Sequence, residues 1–419
     1  MLGRAQFRAG CRGVFLLTLL LCAWAGFSVA KERDSGPHPT MRIPTEPLGY
    51  RVQGKLYLLA RYATSSLDFL DESHLLFTFR RPQLLKREEG SGGLEQVVQA
   101  DVIEIPAGKV VAEEQWLLRD RGRYQWRIGD HHALLRIGSS LYQIGTDLHL
   151  EQVYRSPTPL RMVEASPDGK LLLLESEHER HTPEQHRQLA MHAQLVGADP
   201  PEEDVEIRMA RLDQKKLLMN ARADQAGDLP ATVAGYFTQQ KVKDTLWNVY
   251  FHPFERPQSN SGDLVTAVDS SCDPSQKVMS EQTVLILSCP PKRGDRFVAA
   301  YSLDGHKLWD GRWQSNFTWP AFRVAEGGAT VAISWLAVNR PVTPTEGIDD
   351  EEVHSQVLTV LDAHTGALRT GMVVNPIVSA GGNFALSGDG SRLAVVNRGA
   401  IEVYDLPPPA TPPDGKSAK

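Results

Sequence analysis

Cysteine is scarce in this chain. There are four in 419 residues, and two of them, Cys11 and Cys22, fall within the first 30. Long apolar runs are missing as well. The longest, from Val14 to Phe27, is 14 residues, against the roughly 20 that a membrane-spanning helix needs. No cluster of lysine and arginine offers to neutralise a phosphate backbone, and the formal charge is −6, so nucleic acid is excluded as a partner. Local catalytic signatures are also absent: no G-x-S-x-G, no P-loop, no G-x-G-x-x-G, no C-x-x-C-H and no H-E-x-x-H occurs. Helical periodicity is rare, and the best case is Thr182–Leu195, where Thr182 would cap and Pro183 would open a helix.

What is present begins with an export signal. Three arginines (Arg4, Arg8, Arg12) precede the apolar run, and Ser28-Val-Ala30 fits a small-x-small cleavage site. Cleavage after Ala30 is expected, giving a secreted or periplasmic chain, with an uncleaved anchor as the alternative. Leu21 before Cys22 argues against lipid attachment, which wants a small residue there. Loss of residues 1–30 removes three positive charges and no acid, taking the formal charge from −6 to −9. Cys272 and Cys289 are then the only cysteines left, and in an oxidising compartment an isolated pair suggests a disulfide. If Asp263–Cys272 and Thr283–Cys289 are neighbouring strands of one hairpin, however, the two cysteines sit at opposite ends, about 20 Å apart at ~3.3 Å per residue. The alternative to a bridge is two buried thiols.

Residues 31–49 and 407–419 are polar and proline-rich and read as a flexible lead-in and a disordered tail. Between Tyr50 and Leu406 lie 357 residues dominated by short, β-branched or aromatic strand signals bounded by Gly, Pro, Asp or Asn. Two turn types recur among them. Ser166-Pro-Asp-Gly169 and Ser387-Gly-Asp-Gly390, 221 residues apart, each lead into a strongly apolar strand. A second type joins a strand ending in Leu or Ile to another strand, with markers at Gly108, Asp147, Asp213, Asp304 and Asp362, separated by 39, 66, 91 and 58 residues. The gap of 91 would hide one weak unit near 259–263. Seven units of about 51 residues match the 40–50 residues of a four-stranded propeller blade plus insertions. The expected fold is therefore an all-β, seven-bladed β-propeller over 50–406, with six or eight blades as alternatives. A β-sandwich would use far fewer strands.

The text SPDGKLLLL and SGDGSRLAVV…GAIEVYDL resembles the WD40-like and YVTN-type propeller repeats of exported bacterial proteins. YSLDGHKLWDG and VLDAHTGALRT are similar to the strand-turn-strand of quinoprotein-type repeats. Residues 225–262 depart most from these patterns. The last unit has three strand signals, near 384–387, 392–396 and 400–405, and then proline. An N-terminal strand, expected at Gly54–Tyr62, would complete it and close the ring.

Candidate site residues are sparse. His178, His181, His186 and His192 cluster in a polar insertion, but as H-E-R-H rather than a zinc signature. A solvated rim loop is the plainer reading, with a metal or partner site as the alternative. His131-His132 opens a strand. The acids at 347–354 lack calcium-loop spacing. Trp309 and Trp313 are expected to pack between blades, while Trp319 and Phe322 would face a ligand near the channel mouth. Asn316-Phe-Thr318 is a glycosylation sequon. The expected function is a monomeric binding or protein-interaction scaffold for a protein, peptide or carbohydrate, with no cofactor or metal and no catalytic residue assigned. The alternatives are a propeller enzyme (a quinoprotein-type dehydrogenase, or a lyase or hydrolase with charges converging on the channel) and a cell-envelope assembly factor.

Overall fold

A computed structural model describes residues 37–51, 64–84, 96–118, 122–129, 131–178, 204–223, 229–256, 262–291, 296–314, 316–318, 320–343, 348–377 and 381–409, together with positions 184, 187, 188, 191 and 195. The strands form seven antiparallel four-stranded sheets. The chain opens with β1 (Met41–Pro44). Blade 1 comprises β2 (Ser65–Phe69), β3 (His74–Leu84), β4 (Gln96–Glu104) and β5 (Lys109–Leu118). Blade 2 is β6 (Gln125–Ile128), β7 (His132–Ile137), β8 (Ser140–Ile144) and β9 (Glu151–Arg155). Blade 3 is β10 (Leu160–Ala165), β11 (Leu171–His178), β12 (Asp204–Arg211) and β13 (Lys216–Ala223). Blade 4 is β14 (Ala231–Thr232), β15 (Gly235–Lys243), β16 (Leu246–Pro253) and β17 (Asp263–Asp269). Blade 5 is β18 (Ser275–Ser280), β19 (Thr283–Ser288), β20 (Arg296–Ser302) and β21 (Lys307–Trp313). Blade 6 is β22 (Ala321–Val324), β23 (Thr330–Val338), β24 (Val353–Asp362) and β25 (Leu368–Val374). Blade 7 is β26 (Phe384–Leu386), β27 (Arg392–Asn397), β28 (Ala400–Asp405) and, from the other end of the chain, β1.

The turns Ser166–Gly169 and Ser387–Gly390 occupy the same place in blades 3 and 7, the hairpin between the innermost strand and the second, while the markers Gly108, Asp147, Asp213, Asp304 and Asp362 fall at the hairpin joining the third strand to the fourth. In blade 3 the Ser166 hydroxyl donates to Asp168 Oδ1 at 2.5 Å and accepts from the Leu171 amide at 2.9 Å. In blade 7 the Ser387 hydroxyl donates to Asp389 Oδ1 at 2.6 Å and accepts from the Arg392 amide at 2.9 Å. Gly169 and Gly390 both take a left-handed φ, +67° and +68°.

The apolar burst after each turn is the second strand, sandwiched between blades on both faces. Leu172 and Leu174 pack towards blade 2, and Leu171 and Leu173 towards blade 4. In β27, Leu393 and Val395 face blade 6 while Ala394 and Val396 face blade 1. Strand side chains alternate in direction, so a strand covered on both sides must be apolar at every position. Each of the seven blade-to-blade contacts has its own apolar cluster. The tryptophans serve these contacts. Trp309 donates its indole N–H to the Ala363 carbonyl of blade 6 at 2.7 Å, and Trp313 stacks on the fully buried Trp335 at 5.0 Å.

Closure is made by β1, earlier in the chain than expected. Met41–Pro44 pairs with Val403–Ala400, inside the segment expected to be a flexible lead-in, while Gly54–Tyr62 lies outside the described residues. The four-residue MRIP is short, exposed at Arg42 and Pro44 and ended by proline, as an edge strand is. Its one buried apolar side chain, Ile43, enters the blade 7–blade 1 cluster. Arg42 reaches the buried Glu402 at 3.5 Å.

The weak unit near 259–263 is blade 4. Its inner strand is two residues long, Ala231–Thr232, which is too short to leave a strand signal. The cysteine geometry changes accordingly. Asp263–Asp269 is the outer strand of blade 4 and Thr283–Ser288 the second strand of blade 5, so they are not partners in one hairpin. The chain crosses between blades at Ser270–Pro274, which brings the Cα atoms of Cys272 and Cys289 to 5.5 Å in a disulfide.

Candidate functional site

The seven innermost strands ring a channel. Their shared position two residues before the first hairpin is where the chemistry lies. The amides of Leu70, Ser166, Ala325 and Ser387 each bond the carbonyl of the first residue of the next strand, which aligns the blades. Two residues earlier stand Asp68, Glu164, Arg323 and Ala385, each opposite the third residue of the second strand. Lys277 takes the same place in blade 5, opposite Leu285. Arg127 of blade 2 reaches the same wall. The charged side chains among these, with Arg123, line one cavity of about 180 Å³ to which all seven blades contribute, blade 7 through Leu386 rather than Ala385. Its apolar wall is supplied by Leu171, Leu173, Val278, Phe322, Val324 and Leu386.

The charges are arranged unevenly. Arg123 faces Glu164 at 3.5 Å and lies over the Trp126 ring. Asp68, 4% exposed, accepts only from neutral donors, Gln125 Nε2 at 2.7 Å and the Ser66 hydroxyl at 3.2 Å. Arg127 Nη2 meets Glu326 Oε1 at 2.5 Å, and its buried Nε–H has no partner. Arg323 donates only to carbonyls, those of Gly381 at 2.7 Å and Phe322 at 3.2 Å, and lies over the Phe384 ring. Its Nε–H is likewise buried without a partner.

Arg323 is partly exposed, with its Nε–H buried. Loss of solvation, then the charge of Arg123, pulls its guanidinium down to about 10, against the favourable fields of Asp68 and Glu164. It remains a cation at neutral pH. Beyond the cavity, the turns Ser166–Lys170, Ser280–Gln282 and Glu326–Gly327 form a mouth bearing Asp168, Glu281, Glu326 and Lys170. The cavity wall thus carries four cations and two carboxylates, and the mouth three carboxylates and one cation.

Of the residues singled out in the sequence, Phe322 lies in the cavity wall, half-buried against the blade 5–blade 6 cluster, and Trp319 lies outside the described residues. Cys272 and Cys289 are at the blade 4–blade 5 crossover, away from the cavity lining. In the histidine-rich insertion, Glu184, Arg187, Gln188, Met191 and Leu195 are helical and exposed, while His181, His186 and His192 are outside the described residues. His131 is exposed and 3.9 Å from Asp71. The acidic patch is tied down by Arg340 on Glu352 at 2.5 Å. The Asn316 side chain donates to the Val338 carbonyl at 3.3 Å. Among the described residues no group of three metal-ligating side chains forms. No helix there is long and apolar enough to cross a membrane. The charged wall was not singled out from the sequence. Reading back two positions from Ser166 reaches Glu164, but from Ser387 it reaches Ala385, the same turn text at Ser302–Gly305 joins the outer strands of blade 5, and Asp68, Lys277 and Arg323 precede no Ser-x-Asp-Gly turn, so no local signal marks them.

No family model matches this chain, and no curated protein matches it in sequence. Among solved structures it is similar to the C-terminal WD40 domain of Sif2, at 10% identity over 89% of this chain and 99% of that one, with a TM-score of 0.43. It is also similar to Pyrococcus horikoshii acylaminoacyl peptidase, at 11% identity over 86% of this chain and 54% of that one, TM-score 0.47. A third likeness is to Kluyveromyces lactis Hsv2, at 12% identity over 65% and 70%, TM-score 0.35. The chain thus spans about half the length of the peptidase. The seven-bladed architecture rests on the strand pairing itself.

Proposed function

We propose that the chain is an exported β-propeller binding module that takes its ligand in the central channel. The observation that carries this reading is the single cavity to which every blade contributes, with ionised groups of both signs on an otherwise apolar wall. Binding sites combine such apolar surface with a few convergent polar groups. A volume of about 180 Å³ admits a small molecule or one terminal group of a larger partner, not a folded domain. Export is supported by the arginine-flanked apolar run and the small residues before Lys31. Fold by itself does not supply function; the cavity, not the propeller, is what supports a ligand here.

The test has two parts. The protein recovered from outside the cytoplasm should begin at Lys31. Native mass spectrometry of that material should show a bound small molecule, and a Leu386→Trp variant, which fills the cavity, should lose it. Retention of the molecule by the filled variant would place the site elsewhere and sink the reading. A second reading, a channel lyase or hydrolase, is favoured by Asp68 and Glu164 sharing the wall with Arg323 and Lys277. Conversion of the captured molecule by the native chain, abolished in Asp68→Asn, is its test.

A further inference from the structure

The channel wall carries an imbalance that points to one class of ligand. Arg123 has Glu164, Arg127 has Glu326, and Asp68 is held by neutral donors. Arg323 is different. Its two bonds go to carbonyls, its Nε–H is buried without a partner, and no described carboxylate lies within ion-pairing distance of it. A partly exposed guanidinium with a buried, unpartnered N–H and no counter-ion is a site that a bound anion would satisfy. A guanidinium also presents paired N–H groups whose spacing matches a carboxylate.

The rest of the wall says what the anion carries. Leu171, Leu173, Val278, Phe322, Val324 and Leu386 surround the same space, so a ligand that reached Arg323 would place its remaining atoms against hydrocarbon. An apolar cavity of about 150 Å³ holds a benzene ring, which sets the scale for about 180 Å³. The acidic mouth adds a filter: Asp168, Glu281 and Glu326 oppose entry of highly charged anions and leave weakly charged, partly apolar ones as the better guests.

From these observations we infer that the channel binds a small organic acid, its carboxylate on Arg323 and its apolar body against the leucine and phenylalanine wall. This rests on the channel being the ligand site, and it names the ligand's chemistry.

The experiment titrates the purified full chain with benzoate, with its neutral analogue benzyl alcohol, and with inorganic phosphate, by calorimetry and by thermal shift. The expected result is saturable binding of benzoate that raises Tm, with benzyl alcohol and phosphate each at least tenfold weaker. Arg323→Met should weaken benzoate at least tenfold. That variant should melt no lower than the native chain, because it removes a cation with no counter-ion and with a buried, unpartnered N–H, so loss of binding is not loss of fold. Leu386→Trp should also abolish benzoate binding.

Equal binding of benzoate and benzyl alcohol, both lost in Leu386→Trp, would overturn the anion assignment and leave the channel as the site. Phosphate binding without benzoate binding would overturn the apolar body. Benzoate binding unaffected by both Arg323→Met and Leu386→Trp would overturn the channel reading together with this one.

Discussion

Arg127 in the second blade and Glu326 in the sixth meet at 2.5 Å across the mouth of the channel. The two blades are not neighbours. The arginine passes blade 1 and comes up against Gly388 of blade 7, where an added Cβ would lie 2.5 Å from Arg127 Nη2. The glutamate is held there by its own amide, which bonds the Gly388 carbonyl at 3.0 Å. One ion pair and one backbone bond therefore tie blades 2, 6 and 7 together at the entrance to the cavity.

The side chains of that pair are 16% and 37% exposed, so water screens it in part. A double-mutant cycle of Arg127→Met and Glu326→Gln, followed by urea unfolding, should give a coupling of about 0.5–1 kcal/mol at low salt. The coupling should shrink in about 1 M salt, where the Debye length is near 3 Å. A coupling that does not respond to salt would mean the two residues interact through packing and not through charge.

Gly169 is the tightest point between blades. Its φ is +67°, and a Cβ there would sit 2.0 Å from the Gly129 amide nitrogen of blade 2, a backbone atom with nowhere to go. Gly169→Ala should cost about 2–5 kcal/mol, the sum of left-handed strain and overpacking. Gly390→Ala meets the Thr330 side chain at 2.6 Å instead and should cost less. Equal shifts in the urea midpoints of the two variants would contradict the backbone-against-side-chain distinction.

Asp101, on β4 and 2% exposed, has one carboxylate oxygen with no partner. Burial, with the nearby charge of Glu113, pushes its carboxyl up to about 6, against the Gln99 hydrogen bond and the charge of Arg81. An acid whose folded pKa is raised binds its proton more tightly when folded. It therefore favours the folded state at low pH and loses that contribution as pH rises from about 4 to about 6. Relative to the native chain, Asp101→Asn should gain Tm steadily across that window and then level off. A Tm difference that stays flat from pH 4 to 7 would show that the carboxyl titrates normally.

The Cys272–Cys289 bridge spans 17 residues and joins the blade 4–blade 5 crossover to the second strand of blade 5. Closing a loop of about that length in the unfolded chain is worth about 3 kcal/mol. Reduction by dithiothreitol, or Cys272→Ala with Cys289→Ala, should lower the unfolding free energy by about 2–4 kcal/mol. Denaturant midpoints that coincide with and without reductant would show that the bridge contributes nothing to stability.

Ring closure depends on β1. Ile43 is 7% exposed within a cluster shared by blades 7 and 1, so Ile43→Ala should cost about 2–4 kcal/mol. Removing Met41–Pro44 altogether leaves β28 as an open edge and should broaden the unfolding transition or cause self-association, seen by scanning calorimetry and light scattering. A sharp, unshifted transition in the deleted chain would mean that the other blades close without it.

The propeller was legible because its hairpins are written locally. Ser166-Pro-Asp-Gly169 and Ser387-Gly-Asp-Gly390 each hold side-chain donors and acceptors for one tight turn, and the second strands that follow carry four consecutive apolar residues, 171–174 and 393–396, because two blades cover them. Blade 4 was nearly invisible because a two-residue inner strand carries no periodicity. The closing strand was sought at Gly54–Tyr62, where the hydrophobic signal is stronger. The short, half-exposed MRIP is what an edge strand needs, and edge strands are the ones that leave the weakest pattern.

The amino-acid sequence by itself thus determined the repeating strand-turn-strand unit and its turn chemistry, which depend on contacts between residues a few positions apart, while seven blades rather than six or eight were settled by the strand pairing. The cysteine spacing, read as one hairpin, pointed away from a bridge. Only the blade crossover, which sets 272 and 289 side by side, reversed that. The charged wall is the stronger case. Asp68, Glu164, Lys277 and Arg323 are spread over more than 250 residues, and each alone is an ordinary charged residue in a short strand. They become a site because sevenfold closure points the same position of each blade at one axis, and that convergence is a property of the ring, not of any segment within it.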